Sequence, residues 1–109
     1  MAERMTHEQY VAIIRQQILE AAEGILNNNI DIIAACHFMW QYWREAEFSE
    51  STQEYLFLTG FDDEIEIFNP DQRELHQTEI INDKEKELLE YYHDQIITVC
   101  TKIVQFSNR

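Results

Sequence analysis

The scarcity of chain-breaking residues constrains this sequence more than any other feature. Its 109 residues include two glycines, Gly24 and Gly60, and one proline, Pro70. A β sandwich or barrel needs frequent turns rich in glycine or proline, whereas long helices need few such residues. The length matches one domain with a single core, and 45% of the residues are apolar. The sequence therefore predicts one all-α domain that spans residues 1–109.

Two amphipathic helices are predicted in the first part of the chain. Thr6 and Gln9 form a capping-box pattern ahead of apolar residues at three- and four-residue steps, and the three asparagines at 27–29 are typical of a helix end. This pattern predicts a helix over residues 7–27. A second helix begins near Asp31, and its apolar stripe is broad enough to predict the most buried helix of the fold. The stripe consists of Ile32, Ile33, Cys36, Met39, Trp40 and Trp43.

A short helix and a long acidic loop are predicted next. Ser51 and Glu54 form a second capping-box pattern, which introduces a helix through about Thr59 that Gly60 would end. Residues 61–76 alternate in part like a strand, but a single strand would have no partner in a helical chain. We therefore expect residues 61–76 to form an ordered irregular loop, in which a helical turn can occur.

The last predicted element is a long helix, which begins after a third capping-box pattern at Asn82 and Glu85 and runs to about Gln105. The predicted architecture is thus a small antiparallel bundle of three long helices and one short helix, with a long acidic loop. The apolar periodicity also predicts the core. Its expected members are Ile14, Ile18, Ile25, Ile33, Trp40, Leu89, Ile96, Cys100 and Ile103.

The charge of the chain is strongly negative and uneven. The net charge is −13, from 21 acidic and 8 basic side chains. Residues 45–90 hold fifteen acids and three bases, which gives −12 for that segment alone. Such a charge repels nucleic acid and anionic membranes and attracts basic partners. Concentrating the acids in one segment costs self-repulsion and produces a directed field, which favours a binding role for them.

No pattern of metal ligation or catalysis is present in the sequence. The four histidines form neither an HExxH motif nor a pair at i, i + 4 spacing. The run Asp62-Asp63-Glu64 lacks the glycine and the ligand spacing of a calcium-binding EF-hand loop. Glycine-rich phosphate loops are also missing. We therefore expect no enzymatic activity, no cofactor and no bound metal.

The cysteines and the N-terminus bear on the cellular compartment. Cys36 and Cys100 lie in apolar surroundings and form no CxxC pair, which favours buried free thiols and a reducing compartment. The first ten residues lack the apolar segment of a signal peptide, and no run approaches the roughly 20 apolar residues of a membrane span. These features predict a cytoplasmic protein.

The acidic segment itself predicts a binding surface for a basic protein. Two aromatic residues, Phe61 and Phe68, lie within it, and residues 45–83 contain no lysine. Acids around aromatic anchors combine long-range steering with apolar contacts. The alternative is a solvated face that serves only solubility. The residues expected to contact the partner are Glu54, Phe61, Asp62, Asp63, Glu64, Glu66, Phe68 and Asp71.

A resemblance to a known group of proteins rests on three segments: ILEAAEGILNNNIDIIAACHFMWQYW, LFLTGFDDEIEIFNP and KELLEYYHDQIITVCTKIV. Over about residues 18–105 the chain resembles small acidic helical bacterial proteins that serve as immunity partners of secreted antibacterial toxins, including those of contact-dependent growth inhibition and polymorphic toxin systems. The resemblance implies a cytosolic inhibitor that covers the active site of a toxin domain.

Many toxins of these systems are nucleases, which need a basic groove for phosphates. The resemblance therefore implies a nuclease as the partner, with an RNase favoured over a DNase. The net negative charge disfavours direct contact with nucleic acid or membrane. Two other classes stay open. One is a nucleic-acid mimic that inhibits a DNA-binding protein, and the other is an acidic helical adaptor.

Overall fold

The fold is described from a computed structural model, which describes residues 5–73 and 83–107, with side chains through residue 105. The described residues form four α-helices and two 3-10 turns and contain no strand, which confirms the all-α prediction. The helices are α1 (His7–Leu26), α2 (Ile32–Tyr42), α3 (Gln53–Ile65) and α4 (Asp83–Ser107), and the 3-10 turns η1 (Glu66–Phe68) and η2 (Pro70–Gln72) follow α3.

Helix α1 begins and ends where the sequence predicts. The Thr6 side chain accepts a hydrogen bond from the backbone N–H of Gln9, and the Gln9 side chain accepts one from the backbone of Thr6. At the other end, Asn28 takes the left-handed conformation with φ of 57°. The capping box and the asparagine stop are both confirmed, because each supplies hydrogen bonds or backbone geometry that a helix end requires.

Helix α2 is shorter than the stretch of sequence that suggested it. The carboxylate of Asp31 caps its N-terminus by accepting from the backbone N–H of Ala34 at 2.9 Å. The helix ends at Tyr42, and a turn with a left-handed Glu47 follows. Within α2 only Gln41 is exposed, in agreement with its broad apolar stripe.

The predictions for residues 51–76 were partly wrong: the short helix is present but continues beyond Thr59, so the irregular segment begins after Ile65 and not at Phe61. Helix α3 is capped by Thr52 and not by Ser51, and it continues through Gly60 to Ile65. The two 3-10 turns follow, separated by a left-handed Asn69. Residues 74–76 lie outside the described residues. Helix α3 continues past Gly60 because Leu58, Phe61 and Ile65 recur at helical spacing and are all buried against the core.

The place of Gly60 inside a helix gives a stability prediction. No glycine of the described chain has a positive φ, and a Cβ at Gly60 would meet no atom within 4 Å. Gly60→Ala should therefore raise the free energy of unfolding by about 0.5–1 kcal/mol, measured by urea denaturation. Gly24→Ala is the matched contrast, because a Cβ there would lie 3.0 Å from Ile30 Cγ2. Loss of stability in Gly60→Ala would contradict a regular helix at this position.

The core lies among all four helices. Seven of the nine predicted core residues are buried, whereas Trp40 and Leu89 are only partly buried and pack against the core from its edge. Trp43, which belongs to the predicted apolar stripe of α2 but not to the predicted core, is fully buried. The capping role predicted for Asn82 lies outside the described residues, and its expected partner Glu85 is buried in an ion pair.

The packing of the helices leaves one face of α3 open. Helix α1 packs on α2 and α4, and α2 also packs on α3, while α3 and α4 contact each other less extensively. Helix α3 turns its buried residues toward α2 and the core, so its opposite face is exposed. None of the helices in the described ranges is long and apolar enough to cross a membrane.

Candidate functional site

Four exposed acids follow one another from the last turn of α3 into the 3-10 turns. Asp63, Glu64, Glu66 and Asp71 are all exposed, and we call them together the acidic surface. Among the described residues, no basic side chain forms an ion pair with any of these four. The arginine and lysine side chains that form ion pairs with acids elsewhere are Arg44 with Glu50, Arg73 with Asp31 and Glu85, and Lys102 with Glu54.

Two other acids of the predicted site are held inside the fold. The Oδ1 atom of Asp62 lies 2.7 Å from Nδ1 of His37, and both side chains are largely buried, at 15% and 18% exposed. Glu54 is 12% exposed and lies in a shallow groove between α3 and α4, where its carboxylate is 3.9 Å from the Lys102 ammonium. The structure therefore does not bring Asp62 and Glu54 together with the acidic surface.

The two predicted aromatic anchors, Phe61 and Phe68, are not exposed side chains. Phe61 is 2% exposed, and its ring stacks on Phe57 and contacts Tyr92 edge-on. Phe68 is partly buried and packs against the core. A buried ring contacts the core and not a partner, so the expectation that Phe61 lies at the surface was wrong. The error has a simple origin, because the acids around Phe61 suggested exposure while its helical spacing from Leu58 and Ile65 indicated burial.

The exposed apolar residues of this region were missed by the sequence analysis. Leu56 is 62% exposed on α3, Ile67 is 74% exposed in η1, and Tyr91 is 77% exposed on α4. The missed signal was the helical period. Leu56, Gly60 and Asp63 follow each other at i, i + 4 and i + 7, which places them on one face once α3 is known to continue past Gly60.

A hydrogen bond links the acidic surface to α4. The phenol of Tyr92 donates to the Glu64 carboxylate, and this bond, followed by burial and the charge of Glu64, raises the pKa of Tyr92. The ring of Tyr92 contacts the exposed ring of Tyr91, with 4.8 Å between centroids. Tyr91 therefore flanks the acidic surface on its α4 side.

A cluster of buried charges fixes the chain just after the acidic surface. The Arg73 guanidinium donates to Asp31 Oδ2 at 3.0 Å and to both carboxylate oxygens of Glu85 at 2.9 and 3.2 Å. Burial opposes the charge on Arg73, but the hydrogen bonds to Glu85 and Asp31 outweigh it and raise the pKa of Arg73. The cluster connects the start of α2, the end of η2 and the start of α4.

A second surface feature is an apolar groove between α4 and the ends of α1 and α2. Its volume is about 460 Å³, and its apolar lining includes Ile25, Ile32 and Ile97. The rim carries Lys86 beside acids of α4. Since both signs of charge meet there, the groove has no electrostatic preference comparable to that of the acidic surface.

Both cysteines lie inside the fold, where burial acts on the ionisation of their thiols. Cys36 and Cys100 are free and buried, as predicted. Burial raises the pKa of Cys36 well above its ordinary value and raises the pKa of Cys100 to about 12. A thiol with such a pKa is protonated near neutral pH and is a poor nucleophile and metal ligand. Within the described residues, no three His, Cys, Asp or Glu side chains are grouped to hold a metal ion.

The comparisons with known proteins add no relative: no family model, curated protein or solved structure matches the chain.

Proposed function

We propose that this chain is an immunity protein that binds a basic antibacterial toxin domain, a nuclease, and neutralises it by covering its active-site groove. The observation that carries the proposal is the acidic surface, whose four exposed carboxylates have no ion-pair partner among the described residues. A nuclease groove must be basic because it holds phosphates. The acidic surface matches such a groove in charge.

The proposal includes an antiparallel arrangement of the helices and a cytoplasmic site of action. Two free buried thiols fit a reducing compartment. Within the predicted site, Asp63, Glu64, Glu66 and Asp71 make the contacts with the toxin. Asp62 instead contacts His37 of α2, and this contact fixes the position of α3, which carries part of the acidic surface.

The expected contribution of the acidic surface is faster association. Uncompensated charge steers an oppositely charged partner and raises the association rate constant by about 10- to 1,000-fold. Charges at the rim of an interface act on association and on its salt dependence more than on dissociation. The described bases offer no internal neutralisation of these four acids, so their field is directed outward.

Reversing two charges tests the proposal. Asp63→Lys/Glu66→Lys should leave folding intact, since both positions are exposed and a cation near the end of α3 suits the helix dipole. Against a panel of RNase and DNase toxin domains, the parent should neutralise one member. The variant should bind that member about tenfold or more slowly at low salt. The difference should shrink with added salt, because the Debye length falls from about 10 Å at 0.1 M to about 3 Å at 1 M.

The matched control is Glu20→Lys/Glu23→Lys. It changes the net charge by the same amount at two exposed acids near the end of α1, outside the acidic surface. This control should bind at nearly the parent rate and should protect cells that express the toxin. The proposal fails if no toxin domain of the panel is neutralised. It also fails if the two variants bind alike.

A further inference from the structure

The exposed face of α3 has the residue spacing of a helix-packing seam. Leu56, Gly60 and Asp63 occupy positions i, i + 4 and i + 7, and Ile67 follows at i + 11 in η1. All four are exposed, and the two apolar side chains are among the most exposed large hydrophobic residues described. Leu56, Gly60 and Asp63 line up along one side of α3, and such a row can pack against a second helix laid beside it. Ile67 is exposed just beyond the end of α3, in the 3-10 turn that continues the chain.

The middle of this face is open to a close approach. A Cβ added to Gly60 would have no neighbouring atom within 4 Å, so no side chain fills the notch between Leu56 and Asp63. A helix that lies on the face can place a large apolar side chain there, between Leu56 and Ile67. The face therefore offers two apolar contacts separated by a notch.

Charge decides which helix fits. Asp63 lies on the seam, and Glu64 and Glu66 are exposed close to it. A second copy of this chain would bring the same acids together, which disfavours self-association through this face. A helix with lysine or arginine beside its apolar stripe would instead pair with them, as flanking charges do in helix pairs of matched sign.

We infer that the partner segment recognised here is a basic amphipathic helix, which lies along α3 with its apolar stripe on Leu56 and Ile67 and its basic flanks on Asp63, Glu64 and Glu66. This inference rests on the proposed function and deepens it, because it names the structural class of the toxin segment that is bound. Recognition then has two separable parts, one apolar and one electrostatic.

Synthetic peptides probe this inference without the toxin. The first is a helical peptide with a leucine stripe flanked by lysines, the second has the same composition in scrambled order, and the third has glutamate in place of lysine. Only the first should bind the parent protein. Leu56→Ser/Ile67→Ser should weaken its binding by about tenfold or more, mainly through faster dissociation.

The matched control is Met5→Ser/Ile13→Ser, which removes two exposed apolar side chains elsewhere and should leave the affinity within about twofold, as expected for residues outside an interface. Equal binding of the scrambled peptide overturns the inference, as does parent-like binding by Leu56→Ser/Ile67→Ser. If only Asp63→Lys/Glu66→Lys loses binding, the surface still recognises a basic partner, but the inference that the partner segment is an amphipathic helix is wrong. If the peptide binds as expected but no toxin domain is neutralised, the inference stands and the proposed function fails.

Discussion

Replacing Trp43 with alanine should lower the free energy of unfolding by about 3–5 kcal/mol, as measured by urea denaturation. Trp43 is fully buried at the end of α2, where its ring contacts Phe48 and Tyr55 with centroid separations of 5.0 and 5.8 Å. Its indole N–H also donates to the Ser49 carbonyl oxygen at 2.9 Å. The truncation removes apolar burial and leaves a cavity, and it breaks a hydrogen bond that orders the turn before α3.

Two variants make this prediction specific. Trp40→Ala should cost clearly less, because Trp40 is only partly buried and its indole nitrogen has no hydrogen-bond partner among the described residues. Trp43→Phe should fall between Trp43→Ala and the parent, since it keeps an aromatic ring in the core but loses part of the indole volume and the N–H donor. If Trp40→Ala destabilised the protein as much as Trp43→Ala, the assignment of Trp43 to the centre of the core would be wrong.

The helices could be predicted from the sequence because their signals are local. The Thr6 capping box, the Asn28 stop and the Asp31 cap each act within a few residues, and all three are present in the structure. The failure at Gly60 was of another kind. Glycine is a common helix terminator, but here the burial of Phe61 and Ile65 outweighs its low helix propensity, which costs only about 1 kcal/mol.

The candidate site was harder to predict because exposure depends on the phase of α3. Once residues 61–65 are helical, the acids divide between two faces, and Asp62 turns inward to His37 while Asp63 and Glu64 remain outside. The pairing of Asp62 with His37 joins residues 25 positions apart. No local pattern specifies such a pair, since it depends on how α2 and α3 pack.

The buried cluster of Arg73, Asp31 and Glu85 also depends on how separate parts of the chain pack together, so no local pattern predicts it. Arg73 is the only arginine or lysine between Arg44 and Lys84 in the sequence, and it neutralises Asp31 and Glu85 rather than the acidic surface. Its place just after η2 fixes the chain that carries Asp71. A single arginine thus both anchors the acidic surface and leaves it uncompensated.

Replacing Arg73 with methionine should lower the free energy of unfolding by about 3–5 kcal/mol, because it removes the positive charge and the hydrogen bonds that the guanidinium gives to the buried carboxylates of Asp31 and Glu85. The side chains of Asp31 and Glu85 are only 7% and 8% exposed, so water cannot replace the lost guanidinium. Arg73→Lys should retain part of the stability, since an ammonium keeps the charge but cannot form the bidentate contact with Glu85. Urea denaturation of the three proteins measures this order.

Two further variants serve as controls for Arg73→Met: one breaks an exposed ion pair, and the other also neutralises the two acids that Arg73 contacts. Arg44→Met breaks an ion pair whose side chains are 73% and 47% exposed, and it should cost no more than about 1 kcal/mol. Adding Asp31→Asn and Glu85→Gln to Arg73→Met removes the two buried negative charges that Arg73 balances, and it should recover part of the lost stability while the asparagine still caps α2. If Arg73→Met were no more destabilising than Arg44→Met, or if neutralising the two acids recovered nothing, then the buried charges would not be what makes Arg73 necessary.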